Sequence, residues 1–390
     1  MAVPPARSLR VLVTSTPGAG HIEPLVPLAT ALQAAGHRVL WATAEQSCAR
    51  LQAMGFDTVP AGMGIGERVA ALAPHMPEIM ALDPRARRSR LFTGFFADVA
   101  GPRMHADLLA VFDDFHPHVI IHEMSELAAA PMAAGRGLPH ATVAFSGAVH
   151  DAVLSSVLHS MAAIWRAEGV PDAGLAELLG DLYLHPFPAS FGPPPAHPNA
   201  RLLQPGAAEP GEVPEWLRPL GRDRPLVYLT AGTEVATQTA PWLAAFEVLA
   251  ALDVDAVATI GPLLDTAMLG AVPANVHVER FVPQALLLSR ASVVASHGGA
   301  GSVLGAARHG VPQLLYPMAA DQWDNADAVS RAGAGIVLEL EHRDAADIAA
   351  ALQRLLHEPA LRAAASAVAA EIAAMPSATD HVAAIEALVG

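Results

Sequence analysis

Short apolar runs recur along the chain, and each is followed by an alanine-rich stretch of helical length. "RVLVTS" (10–15), "RVLWAT" (38–43), "HVIIHE" (118–123) and "HATVAF" (140–145) are such runs. Helical segments lie among them at 23–36, closed by Gly36, and at 126–136. A run that is apolar on both faces suits a strand covered on both sides. A strand reached through a helix lies parallel to its predecessor, with the helix packed on a face of the sheet. The alternation therefore predicts an α/β fold of the doubly wound kind.

Residues 185–225 break the alternation. "HPFPASFGPPPAHP" and "EPGEVPEWLRP" are dense in proline, which fixes φ and offers no donor, so the stretch reads as an extended linker or surface loop. Strand-like runs then resume at 225–232, 254–260, 276–281, 291–297, 312–317 and 335–340. Helices follow at 344–357 and 359–373, and a last one after Pro376. A chain of 390 residues exceeds one ordinary core. The expected organisation is a Rossmann-like domain over 1–205, a proline-rich linker over 206–224, a second Rossmann-like domain over 225–375 and a closing helix over 376–390. The two domains are expected to face each other across a cleft.

A net charge of −15 lacks the basic face that nucleic acid requires. No Lys/Arg run flanks an amphipathic stretch, so anchoring to anionic membrane is not expected. One cysteine, Cys48, builds neither a disulfide framework nor a thiolate metal site. The N-terminal apolar run is too short for a secretory signal, and no stretch is long enough to span a membrane. The expectation is a soluble cytoplasmic protein.

The segment "SHGGAGSVLGAARHGVP" (296–312) follows the run at 291–295 and opens a helix. Gly298, Gly299 and Gly301 let backbone N–H groups approach an anion without Cβ clashes. The helix N-terminus adds free donors and positive partial charge. His297 and Ser302 can each donate to a phosphate oxygen. A tight strand-to-helix turn with an incidental histidine is the plainer reading. The segment is neither a Walker loop nor a dinucleotide fingerprint in its usual place. In the other half, "TPGAGHIEP" (16–24) places His21 at the carboxyl end of the first strand, where an imidazole can remove a proton near neutrality. Its plainer reading is a capping or solvent-facing histidine.

The order His297-Gly-Gly-x-Gly301, Gly310-Val-Pro312, Pro317, Asp321-Gln322 and Asn325-Ala326 resembles the donor signature of inverting GT-B glycosyltransferases. The likeness runs over the whole chain and is nearest to natural-product sugar transferases of the macrolide and enediyne type. It implies an acceptor domain first and a nucleotide-sugar domain second, with the last helix crossing back to the first. His297, Gly299, Gly301 and Ser302 would hold the donor diphosphate, joined by Thr233 in "TAGT" (230–233). Phe281 and the Val282 backbone would receive the nucleobase, and Gln284 would lie near the ribose. Asp321 and Gln322 would bind sugar hydroxyls. Simple core for Phe281 and helix capping for Asp321 are the alternatives.

The resemblance also implies His21 as general base, paired with Glu123 or, failing that, Glu126. The family more often has Asp there. Uridine diphosphate users often carry Glu eight residues after the loop histidine, where this chain has Gly305, which points to a thymidine diphosphate (deoxy)sugar. Antibiotic biosynthesis is the implied setting, with a nucleotide sugar and a small aglycone as the partners. No metal or other cofactor is expected, since the diphosphate leaves against His297 and a helix N-terminus. Phe92, Phe95, Phe96 and Met63 would offer apolar wall to an acceptor, or simply core. A nucleotide-sugar epimerase and a non-catalytic activator of another transferase are the rival functions. Oligomeric state is not legible, and a homodimer is one open alternative.

Overall fold

A computed structural model of the chain contains two parallel sheets, and the structure describes residues 8–147, 149–206, 211–230, 240–261, 264, 266–340 and 342–390. The first sheet is built from β1 (Arg10–Thr14), β2 (Arg38–Thr43), β3 (Asp57–Pro60), β4 (Val119–Glu123), β5 (His140–Val143), β6 (Leu182–His185) and β7 (Ala200–Leu202). Their order is β3-β2-β1-β4-β5-β6-β7, parallel throughout. The second comprises β8 (Leu226–Thr230), β9 (Asp255–Thr259), β10 (Val276–Glu279), β11 (Ala291–Ser296), β12 (Gln313–Leu315) and β13 (Gly335–Val337). Its order is β10-β9-β8-β11-β12-β13, again parallel. Each sheet winds outward from its first strand, then jumps back across it. The reversals fall between β1 and β4 and between β8 and β11.

Alternation along the strands divides each core into two layers. Val11 and Val13 pack with Leu25, Leu28 and Leu32 on one face, while Leu12 packs with Leu108 and Phe112 on the other. Val227 and Leu229 face one layer of the second sheet and Leu226 and Tyr228 the other. The helix Ala345–His357 shows how sequence sets these layers. Asp344 caps it by accepting from Asp347 N–H (2.9 Å). Ile348, Ala351, Leu352, Leu355 and Leu356 fall on one buried stripe.

The chain divides into two units. One takes the chain up to Pro186 with Pro194–Gly206 and Pro376–Gly390, and the other takes Phe187–Pro193 and the remainder to Met375. Val382 and Ile385 of the last helix (Val382–Val389) join the Val11–Val13 core face. His381 Nε2 sits 2.9 Å from the Leu202 carbonyl, and Gln204 N–H donates to the Pro376 carbonyl at 2.7 Å.

Parts of the proline-dense region are packed structure. Residues after His185 form a 3-10 turn (Ala189–Phe191) and the edge strand β7. Arg331 donates to the Phe191 carbonyl at 2.8 Å and Ser190 N–H to Glu371 at 3.1 Å, which places Phe187–Pro193 with the second unit. Val213, Trp216, Leu217 and Leu220 pack beneath Leu226 and Val257. Proline directs the backbone here, but the apolar residues between the prolines still seek burial.

His122, His140 and His185 stand buried on the adjacent strands β4, β5 and β6. His122 Nε2 lies 3.0 Å from His140 Nδ1. Burial lowers all three pKa values, that of His140 to about 3, aided by the charge of His122, and that of His185 to about 4. Unfolded, each titrates near its ordinary value of 6.5. Their stabilising contribution is therefore complete above that value and is lost as pH falls toward the folded values. Glu126 works the other way, one group against three. The melting temperature should fall as pH drops from about 7 to about 5. Melts with the same midpoint across that window would contradict this.

Candidate active site

His21 lies in a single helical turn (Ala19–Ile22) that follows β1. Glu123 is the last residue of β4. The β1–β4 register sets Thr14 beside His122, so both loops leave the sheet at its winding reversal. The Glu123 side chain is fully buried. Its carboxylate accepts from Thr16 N–H (3.2 Å), Thr16 Oγ1 (2.8 Å) and Ser125 N–H (2.6 Å). Its Oε1 lies 3.4 Å from His21 Nδ1. Burial alone would raise its pKa. The charge of His21, and hydrogen bonds from Ser125 and Thr16, overrule burial and hold it down at about 2. Glu123 is thus an anion beside the imidazole.

Glu126, the fallback partner, does not face His21 through any described contact. It accepts from Thr14 Oγ1 and from Ala128 N–H (2.8 Å). With fewer donors, burial dominates and pushes it up to about 7. The two carboxyls are three residues apart, and their pKa values are displaced in opposite directions.

The His21 ring packs edge-on to Phe145 (centroids 4.5 Å) and is tilted against Phe96 (5.5 Å), which in turn meets Phe92 (5.0 Å). Phe92 and Phe96 are half-buried, so the all-core alternative holds only in part. Phe95 is half-buried as well, with no described contact to the ring. Met63 is half-buried on the loop after β3 and shares no described contact with His21. Phe145, Ser125 and Arg68 escaped the sequence reading. Phe145 sits just past β5, the neighbour of β4, and that place was the available signal. Buried Arg68 reaches the Pro17 carbonyl (3.3 Å) and lies over Phe96.

In the second unit His297 follows β11 and precedes the helix Ala300–Arg308. Gly298 has φ +86°, and its carbonyl accepts from Asn325 Nδ2 (3.0 Å). A Cβ on Gly299 would lie 2.5 Å from His297 Nε2, so only glycine lets the imidazole fold over the helix start. A Cβ on Gly301 would meet nothing within 4 Å, which leaves open space above the first turn. There the N–H groups of Ala300, Gly301 and Ser302 have no carbonyl one turn back. Burial lowers the His297 pKa, opposed by a hydrogen bond with the Thr230 backbone. Thr233 lies outside the described residues.

Asp321 makes no capping hydrogen bond. Its carboxylate accepts from Asn325 Nδ2 (2.9 Å). Gln322 Oε1 accepts from Met318 and Ala319 N–H (2.8 and 3.0 Å), which leaves its amide NH₂ as the group able to donate to a ligand. Ala320 between them has φ +54°, unusual for a residue with a Cβ. Phe281 is 71% exposed, which overturns the core alternative for it. Val282 is buried with Leu286 and Leu287, so only its backbone is available to a ligand. Gln284 Oε1 lies 3.0 Å from where a Gly305 Cβ would stand. Among the described residues no group of three or more His, Cys, Asp or Glu could hold a metal ion, and no helix is long and apolar enough to cross a membrane.

A domain model described as Erythromycin biosynthesis protein CIII-like, C-terminal domain, matches residues 244–388. The chain is 33% identical to the L-demethylnoviosyl transferase of Streptomyces niveus over 95% of each chain. It is 31% identical to the 4'-demethylrebeccamycin synthase of Lentzea aerocolonigenes, covering 97% of this chain and 99% of that one. Among solved structures, the glycosyltransferase SnogD of Streptomyces nogalater superposes with a TM-score of 0.78 at 27% identity, over 98% of this chain and 100% of that one. The glycosyltransferase VinC, solved in complex with dTDP, gives 0.80 at 26% identity over 98% and 99%.

Glu126 yields a test of the electrostatics. Its folded pKa, about 7, exceeds its ordinary value of 4.5. Its contribution to stability is complete below the ordinary value and is lost as pH rises through the folded one. Glu126→Gln keeps the shape without the ionisation. Its stability relative to wild type should therefore grow between about pH 6 and about pH 8, by on the order of 1 kcal/mol. Urea melts at the two pH values check this, and a pH-independent difference would refute it.

Proposed function

The chain belongs to the natural-product glycosyltransferases, and from that premise we propose that it transfers a (deoxy)sugar from a thymidine diphosphate donor to a hydroxyl of a small natural-product aglycone, with inversion and without a metal. The observation that carries the reading is the buried, ionised Glu123 beside His21 at the winding reversal of the first sheet. An imidazole held against an anion can accept a proton and remain where it is. The acceptor O–H gives its proton to His21 as the oxygen forms its bond to the anomeric carbon. The bond from that carbon to the diphosphate oxygen breaks on the opposite face, and the electron pair leaves with the thymidine diphosphate.

The leaving group gains charge, and His297 with the N–H groups of Ala300–Ser302 is suited to receive it. Asp321 and the Gln322 amide suit sugar hydroxyls, and exposed Phe281 suits the face of a base. The thymidine preference is supported by Gly305. Gly305 has no side chain to grip a ribose diol, and Gln284 Oε1 stands 3.0 Å from where its Cβ would lie. VinC, a similar structure, was solved with the same diphosphate.

Calorimetric titration should show thymidine diphosphate binding more tightly than uridine diphosphate, with His297→Ala weakening it roughly tenfold or more. His21→Ala should retain that binding and lose transfer by a factor of about a hundred or more. Tighter uridine diphosphate binding would overturn the donor assignment, and undiminished transfer by His21→Ala would overturn the base.

A further inference from the structure

His21 does not meet its carboxylate at full hydrogen-bonding distance. The direct separation from Nδ1 to Glu123 Oε1 is 3.4 Å, longer than an N–H donor prefers. Ser125 Oγ is nearer, 3.1 Å from Nδ1, and it lies 2.9 Å from both oxygens of Glu123. The serine is 1% exposed. A hydroxyl has one proton and two lone pairs, and an ionised carboxylate can only accept. If the hydroxyl proton pointed at the imidazole, its lone pairs would face two carboxylate oxygens at 2.9 Å. The proton must therefore point at Glu123. The remaining lone pair faces His21, so Nδ1 must carry a hydrogen, and the free lone pair of the ring is on Nε2.

We propose that Ser125 is a positioning residue that fixes the tautomer and orientation of His21, completing a His21–Ser125–Glu123 relay. This rests on the reading of His21 as general base and deepens it. In the step itself the acceptor O–H bond breaks and an Nε2–H bond forms. The Nδ1 proton and the serine proton stay where they are, while the imidazolium charge is balanced by Glu123 through the hydroxyl. The turn that holds the serine is closed by its own backbone, because Ser125 N–H donates to Glu123 Oε2 at 2.6 Å. Removing Oγ therefore leaves the carboxylate anchored.

Ser125→Ala is the test, with transfer kinetics, melting temperature and nitrogen NMR of histidine-labelled protein as readouts. The His21 signals are identified by their loss in His21→Ala. The expected result is a kcat lower by roughly tenfold with KM for both substrates and the melting temperature unchanged. The His21 ring should shift from the Nδ1–H form to a mixture of tautomers, and Ser125→Thr, which keeps the hydroxyl, should restore the Nδ1–H form. A Ser125→Ala enzyme with wild-type kcat, or one whose kcat falls while the tautomer is unmoved, overturns the relay. The two levels separate cleanly. Full transfer by His21→Ala defeats the general base itself, whereas an inactive His21→Ala beside a fully active Ser125→Ala defeats only the relay.

Discussion

The reversal of winding direction within each parallel sheet is the constraint on which the functional geometry depends. Parallel strands cannot be joined by hairpins, so every connection crosses a face of the sheet. Where successive crossings change face, the loops leaving two adjacent strands part and leave a crevice at their carboxyl ends. In the first sheet those strands are β1 and β4, and the loops carry Thr16, His21, Glu123 and Ser125. In the second they are β8 and β11, and the loop after β11 carries His297 and the glycines. Both sets of polar groups sit at the carboxyl ends of strands that flank a winding reversal.

Within the first crevice, counting donors explains why two neighbouring glutamates differ. Each is buried, which favours the neutral acid. Glu123 has two backbone N–H groups, two hydroxyls and an imidazole directed at it. Glu126 has the Thr14 hydroxyl and the N–H groups of Ala128 and Ala129. The first count is enough to stabilise an anion without water and the second is not. The raised pKa of Glu126 also lessens the negative charge beside Glu123 near neutrality, a charge that would weaken its hold on His21.

Much of this was legible in the sequence, for physical reasons that vary by element. The fully buried strands β4, β5, β8 and β9 lie in short, mostly apolar runs and announce themselves. The edge strands β3 and β7, with four and three residues and solvent on one side, carry no such run. Pro60 in β3 is tolerated only because an edge need not donate. In the proline-dense region the packing of Trp216 and Leu217 was not legible, because proline density reports backbone restriction and not burial. At the site, His21, Glu123 and His297 stood out as chemistry at strand ends. Ser125 did not, because a serine two residues past a strand is a common turn residue. Only the fold shows its hydroxyl lying between an imidazole and a carboxylate.

The second crevice adds a different lesson, since its polar groups are held by backbone and by one amide. Asn325 is fully buried, and its Nδ2 spans the Gly298 carbonyl and the Asp321 carboxylate. One side chain thereby ties the loop that carries His297 to the loop that carries Asp321 and Gln322. Gln322 completes the tie by accepting from two backbone N–H groups of its own loop, and the positive φ of Ala320 is the strain that such a closed turn tolerates. A buried amide with its donors engaged leaves little freedom to either loop. The groups suited to diphosphate and to sugar are therefore preorganised relative to each other before any ligand arrives, and binding need not spend free energy ordering them.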